Sequence, residues 1–218
     1  MSIRVLIADD QEIIRAGLAT IVGGQPGIEV IAQAADGVQA VELARRLRPD
    51  VCLFDIRMPR MDGVEATRLL AGPDVADPLP IVVITTFDTD EYVSGALRAG
   101  AKGFLLKDAG PALLIQAIHA AAEGDALIAP SVTVRLLARF AASQVATKRP
   151  QPVVPLTERE EDVAVAISQG LTNAEIASTL FISVSTVKFH VGSLMDKIGV
   201  RNRVQIVIWA YETGRVRP

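Results

Sequence analysis

Three aspartates, a threonine and a lysine are the residues of this chain whose types and spacing suit phosphoryl chemistry. Asp9 and Asp10 close "IRVLIADD", Asp55 closes "VCLFD", Thr85 lies at the end of "PIVVITT", and Lys107 follows "GFLL". Each stands where a short apolar run stops. Clustered carboxylates repel one another, so a hard cation such as Mg²⁺, which favours oxygen ligands in octahedral geometry, is their natural partner. A lysine and a hydroxyl beside them suit a transferred phosphoryl group, by charge and by hydrogen bond respectively. An aspartate is a competent acceptor of that group, as aspartyl-phosphate intermediates show. Taken singly, each of the five is an ordinary turn residue. Only a fold that gathers them gives them this chemistry.

The surrounding pattern predicts such a fold. Short, β-branched or wholly apolar runs at Ile3–Asp9, Ile28–Ala34, "DVCLFD", Pro80–Thr86 and "GFLLK" read as strands. Between them lie stretches with helical spacing: "EIIRAGLATIV", "GVQAVELARRL" closed by Arg48-Pro49, "GVEATRLLA", "DEYVSGALRAG" and "GPALLIQAIHAAAEG". The last has Pro111 at its start and Gly124 at its end, a helix-start and helix-stop signature. Strands apolar throughout are buried on both faces, which implies a parallel sheet flanked by helices. The expected fold class is α/β, a doubly wound five-stranded parallel sheet over residues 1–125. Ligands of such sheets bind outside the carboxyl ends of the strands, where all five residues fall.

Past this domain, Ser131–Ala142 has helical spacing and Thr147–Pro155 is Pro-rich and polar, so 126–153 is expected to be a linker with a helix. Residues 154–218 read as all-α. Thr157 followed by Glu160 makes a capping box for a helix that stops at Gly170. "TNAEIASTL" and "SVSTVKFHVGSLMDKIG", joined by "FISV", form a helix-turn-helix candidate, and "NRVQIVIWAYETG" is a final helix.

Composition sets the class. The chain has 218 residues, half of them apolar, and a formal net charge of -3. That mild average hides a split: residues 1–125 carry 11 Lys+Arg against 18 Asp+Glu, whereas 183–218 carry 6 against 2. The asymmetry suggests an acidic module joined to a basic one. The lone Cys52 sits inside "VCLF" and reads as a small buried hydrophobe. No apolar run is long enough to span a membrane, and the first residues reach acids too soon for a signal peptide. A soluble, cytoplasmic protein is expected.

"IADD", "FDIRMPRMDG", "ITTF" and "GFLLKD" resemble, in order and spacing, the motifs of bacterial response-regulator receiver domains, over residues 3–124. The resemblance implies that Asp55 is the phosphoacceptor, and that Asp9, Asp10, Asp55 and the backbone carbonyl of Arg57 hold Mg²⁺. It implies that Thr85 and Lys107 bind the phosphoryl group and that Phe104 is the switch aromatic. Asp108 stands where many receivers have proline, a form usual in one subfamily. A dehalogenase-like phosphatase built on Asp55 would need a second acid where Arg57 stands. A non-enzymatic switch is therefore expected.

Residues 155–213 resemble the LuxR-type helix-turn-helix, and the two modules together resemble the NarL/FixJ-type regulators. By that resemblance a sensor histidine kinase is the phosphodonor, and double-stranded promoter DNA the target. The helix Ser183–Ile198 would enter the major groove by its N-terminal half. Ser185, Thr186, Val187, Lys188, Val191 and Gly192 are expected on its DNA side, with Phe189, Leu194 and Ile198 in the core. Ser185 and Thr186 could also cap it. Arg201, Asn202 and Arg203, at the next helix start, are further candidates for capping or phosphate contact. Gly192 departs from relatives with a basic or polar residue there. In the last helix, Val204, Ile208 and Tyr211 recur at i, i+4, i+7, and the resemblance implies a homodimer through this helix when phosphorylated, on two half-sites.

Overall fold

A computed structural model describes residues 2–86, 90–125, 127–128, 155–200 and 202–216, with positions 90, 127, 128, 204 and 212 described as backbone only. The chain divides into two compact units, Met1–Thr133 and Val134–Pro218. The helix expected at Ser131–Ala142, most of the expected linker, and Arg201 lie outside the described residues.

The first unit alternates strands β1 (Ile3–Ala8), β2 (Ile28–Ala34), β3 (Val51–Asp55), β4 (Ile81–Thr85) and β5 (Gly103–Leu106) with helices α1 (Glu12–Gly23), α2 (Gly37–Leu47), α3 (Gly63–Ala71), α4 (Asp90–Arg98) and α5 (Pro111–Glu123). The sheet is parallel, in the order β2-β1-β3-β4-β5, and a two-residue β6 (Leu127–Ile128) extends it beside β5. Sequence reading placed β6 in the linker, because two residues carry no periodicity.

Every residue of β3 and β4 is buried, as strands covered on both faces must be. The chain turns back on itself between β1 and β3, so the crevice at their carboxyl ends is the switch point of the sheet. Register aligns Ala8 with Phe54, Asp55 with Ile84, and Thr85 with Leu106. Asp9 therefore emerges level with Asp55, and Lys107 one residue beyond the level of Thr85. Local caps fix the helices: Asp36 accepts from Gln39 N and Asp62 from Glu65 N. Gly124 closes α5 at φ +86°, the left-handed region that glycine tolerates.

The second unit holds α6 (Glu158–Ser168), α7 (Asn173–Leu180), α8 (Val184–Ile198) and α9 (Arg203–Glu212). Its core joins Val163 and Ile167 of α6, Ile176 of α7, Val187 and Leu194 of α8, and Ile206 and Trp209 of α9. Two capping boxes, Thr157 with Glu160 and Thr172 with Glu175, set the starts of α6 and α7.

Candidate functional site

The carboxylates of Asp9, Asp10 and Asp55 converge, with one oxygen of each within 4.8 Å of the others. Asp9 and Asp55 are buried, at 1% and 5% exposure, while Asp10 is open to solvent. Lys107 Nζ lies 2.6 Å from Asp9 Oδ2 and 3.3 Å from Asp55 Oδ1, so one ammonium serves two buried acids. Asp9 Oδ1 accepts a hydrogen bond from Gln11 N at 2.9 Å. Among the described residues its buried Oδ2 has the ion pair with Lys107 and no other partner. A buried carboxylate oxygen left in this state fits a cation ligand. Burial pushes the Asp55 carboxyl pKa up and the Asp9 charge adds to this, with Lys107 opposing.

Thr85 is fully buried at the end of β4, where its carbonyl accepts from Lys107 N at 2.8 Å. Phe104 is also fully buried, opposite Val83 in the middle of the sheet. All the expected acid-site residues thus lie at one sheet edge, apart from Phe104, which sits deeper in β5.

The segment after Asp55 is held rather than loose. Ile56 and Met58 are buried anchors, and Gly63 N donates to Ile56 O at 2.8 Å. A Cβ at Gly63 would collide with the Asp55 carbonyl, and one at Gly37 with the Met61 carbonyl, so both positions need glycine. Arg60, at φ +64°, forms an ion pair with Asp36, the cap of α2. Asp10, Arg57, Met58, Pro59, Asp62 and Tyr92 line a groove of about 400 Å³ beside the acids.

In the second unit, α7 and α8 make the helix-turn-helix. Ser183 is the cap of α8 and accepts from Thr186 N at 3.1 Å; its Oγ also lies 2.7 Å from the hydroxyls of Ser185 and Thr186. Ser185 and Thr186 thus lie inside the first turn instead of capping it. The buried face of α8 runs through Val187, Val191 and Leu194, a stripe at i, i+4, i+7. This corrects the expectation that Val187 and Val191 face DNA: they are 0% and 7% exposed. It also corrects the placing of Phe189 in the core, since that ring is 70% exposed. Ser185 and Lys188 are exposed, and among the described residues nothing lies within 4 Å of where a Cβ at Gly192 would stand.

The next helix start is structural. Asn202 is 2% exposed and caps α9 by accepting from Gln205 N at 2.9 Å. Arg203 donates to Asn173 Oδ1 at 2.9 Å and to the Leu171 carbonyl, tying α9 to the start of α7. Of the two roles expected here, capping is realised by Asn202, and the Arg203 guanidinium is turned inward. In α9, Ile208 and Tyr211 are half-buried; the Val204 side chain lies outside the described atoms.

Sequence reasoning missed the second half of the Glu160 site. Glu160 is 3% exposed and accepts from Thr157 N, Ser193 Oγ and Lys197 Nζ, each at 2.7 Å. Burial alone would raise its pKa, but Lys197, Thr157 and Ser193 outweigh it and hold the carboxyl down to about 2. Ser193 and Lys197, four residues apart on one side of α8, are the only sequence trace of it.

Comparison with known proteins agrees with both units. Residues 5–119 match the model for "Response regulator receiver domain", and residues 154–210 the model for "Bacterial regulatory proteins, luxR family". The transcriptional regulatory protein LiaR of Bacillus subtilis strain 168 is 40% identical over 214 residues, covering 98% of this chain and 99% of LiaR. The nitrate/nitrite response regulator protein NarL of Escherichia coli K12 is 37% identical over 208 residues, covering 95% of this chain and 94% of NarL. The crystal structure of response regulator ChrA, from a heme-sensing two-component system, superposes with TM-score 0.54 at 36% identity, covering 99% of each chain. The chain belongs to the response-regulator family: it is a two-component transcriptional regulator of the LuxR/NarL type, with a receiver domain and a LuxR-type DNA-binding domain.

Proposed function

We propose that Asp55 takes a phosphoryl group from a sensor histidine kinase and that this modification switches the helical domain to dimeric, sequence-specific DNA binding. The observation that carries this reading is the shared contact of Lys107 with Asp9 and Asp55, which draws two buried acids and a cation to one point. Asp9, Asp10, Asp55 and the carbonyl of Arg57 are the residues that would hold Mg²⁺. Bound there, Mg²⁺ would neutralise the carboxylates and the incoming phosphoryl oxygens.

A carboxylate oxygen of Asp55 attacks phosphorus, and the phosphorus–nitrogen bond of the donor phosphohistidine breaks. Its electron pair leaves with the imidazole, which picks up a proton. Lys107 then pairs with the phosphoryl charge instead of the bare carboxylate, and Thr85 donates its hydroxyl to a phosphoryl oxygen. Phe104, buried on the neighbouring strand β5, is the switch aromatic that repacks when Thr85 moves. That is a two-state element of the kind a few kcal/mol can tip.

On the DNA side, the N-terminal half of α8 enters the major groove. Lys188 contacts guanine or phosphate, Ser185 and Thr186 contact phosphate, and Gly192 admits close backbone approach. Arg201 adds a phosphate contact beside α9. Dimerisation through α9, by Val204, Ile208 and Tyr211, sets two half-sites about one helical turn apart. The protein works in the cytoplasm, where both kinase and promoter are at hand.

Intact mass after incubation with Mg²⁺ and a phosphorylated histidine-kinase domain tests the first step. One added phosphoryl group is expected, absent with Asp55→Asn and absent with chelator. Labelling that survives Asp55→Asn would overturn the assignment of the acceptor.

A further inference from the structure

Four positions of α8, Ser185, Phe189, Gly192 and Asp196, recur at i, i+4, i+7 and i+11, on the side away from the buried stripe of Val187, Val191 and Leu194. They are the centre of the face that a groove would meet. Asp196 lies toward the C-terminal end of that face, where its charge repels phosphates, so the half bearing Ser185 and Phe189 is the half that can go in. The largest side chain at that centre is a solvent-exposed apolar ring. Phe189 is 70% exposed, and it meets His190 edge-on with centroids 5.7 Å apart at 69°.

Resting on the DNA-binding reading above, we propose that Phe189 determines sequence specificity by seating against the C5-methyl group of a thymine in each half-site. The chemistry of the groove selects this partner. Guanine, adenine and cytosine present acceptors or amino donors along their major-groove edges, and thymine alone adds a methyl. A phenyl ring laid on the other edges would strip water from polar groups and return no hydrogen bond, which is unfavourable. Against a methyl it buries apolar surface on both sides. The bare backbone at Gly192, one turn further along the same face, removes the side chain that would otherwise hold the helix off the bases. Lys188 flanks the ring with a donor for a neighbouring guanine or phosphate. The predicted core of each half-site is therefore a thymine beside a Lys188 contact.

The test uses the full-length protein with Mg²⁺ and beryllofluoride, and duplexes selected by it from a random pool. Each thymine of the selected site is then replaced in turn by uracil, which removes only the methyl. One position per half-site should lose about fourfold in affinity, and both together about fifteenfold, the value of one buried methyl each. Phe189→Ala should bind the same duplex more weakly and show no uracil effect there, while Phe189→Leu keeps part of it. Unchanged Trp209 emission would show that these exposed-site variants are folded. A flat uracil scan with the wild-type protein overturns the inference while leaving DNA binding standing, as does a uracil effect that persists in Phe189→Ala. If the wild-type protein enriches no sequence at all, the DNA-binding reading fails and the inference with it.

Discussion

Replacing Glu160 with glutamine should destabilise the helical unit by about 2 kcal/mol at neutral pH, and the loss should fade in acid. The carboxyl is held at about 2 against an ordinary 4.5. At about 1.4 kcal/mol per unit, that difference corresponds to roughly 3 kcal/mol. The pair is not deep, because the Lys197 side chain is 22% exposed, and solvent screening reduces the figure to about 2 kcal/mol. A depressed carboxylate pKa gives stability that is fully present above the unfolded value. It is lost as pH falls from 4.5 towards 2, with more than half gone by about pH 3. Glutamine keeps the shape but offers one oxygen where Thr157, Ser193 and Lys197 need more. The assay is urea unfolding of the intact chain followed by tryptophan emission. Trp209 is the only tryptophan, is 3% exposed, and packs beneath Arg215 at 4.1 Å, so it reports the helical unit alone. Equal stability of the two proteins at pH 7 would refute the reasoning. A gap of the same size at pH 3 would show that lost packing, and not lost charge, is responsible.

Asp55→Asn should stabilise the receiver at pH 7 without divalent cations, seen as a higher midpoint in circular-dichroism melts. Its raised pKa means wild-type stability is highest below the ordinary carboxylate range and falls as pH rises through the folded value, so the gain should vanish in acid. Added Mg²⁺ should then raise the wild-type melting temperature more than that of the variant. Gly63→Ala should cost about 2–4 kcal/mol and slow phosphoryl transfer, because its methyl must displace the Asp55 carbonyl; a melt and a labelling time course check both. Lys188→Ala should weaken DNA binding and lower the slope of log affinity against log salt by about 1 if it meets phosphate. Arg203→Ala should lower the urea midpoint of the Trp209 transition by the loss of its bonds to Asn173 and Leu171, about 1–2 kcal/mol, read in the same assay.

Parallel strands write themselves plainly into sequence. "VCLFD" and "IVVIT" are apolar throughout because both faces of β3 and β4 are covered. The sheet edge that collects Asp9, Asp55 and Lys107 follows from strand ends alone. The phase of α8 was harder. Val187, Phe189 and Val191 are all apolar, so composition does not say which faces inward; the stripe continuing to Leu194 does, and it excludes Phe189. The inward turn of Arg203 had no local signal, since its partners Asn173 and Leu171 lie about thirty residues away in the chain. The two-residue β6 is visible only through its pairing with Gly103 and Phe104.

Solution mass by light scattering, in Mg²⁺ with and without beryllofluoride as a phosphoryl mimic, tests the proposed switch most directly. A monomer that becomes a dimer with the mimic, and fails to do so when Asp55 is asparagine, is the predicted result. A mass unchanged by the mimic, or a dimer that forms equally in Asp55→Asn, would contradict it.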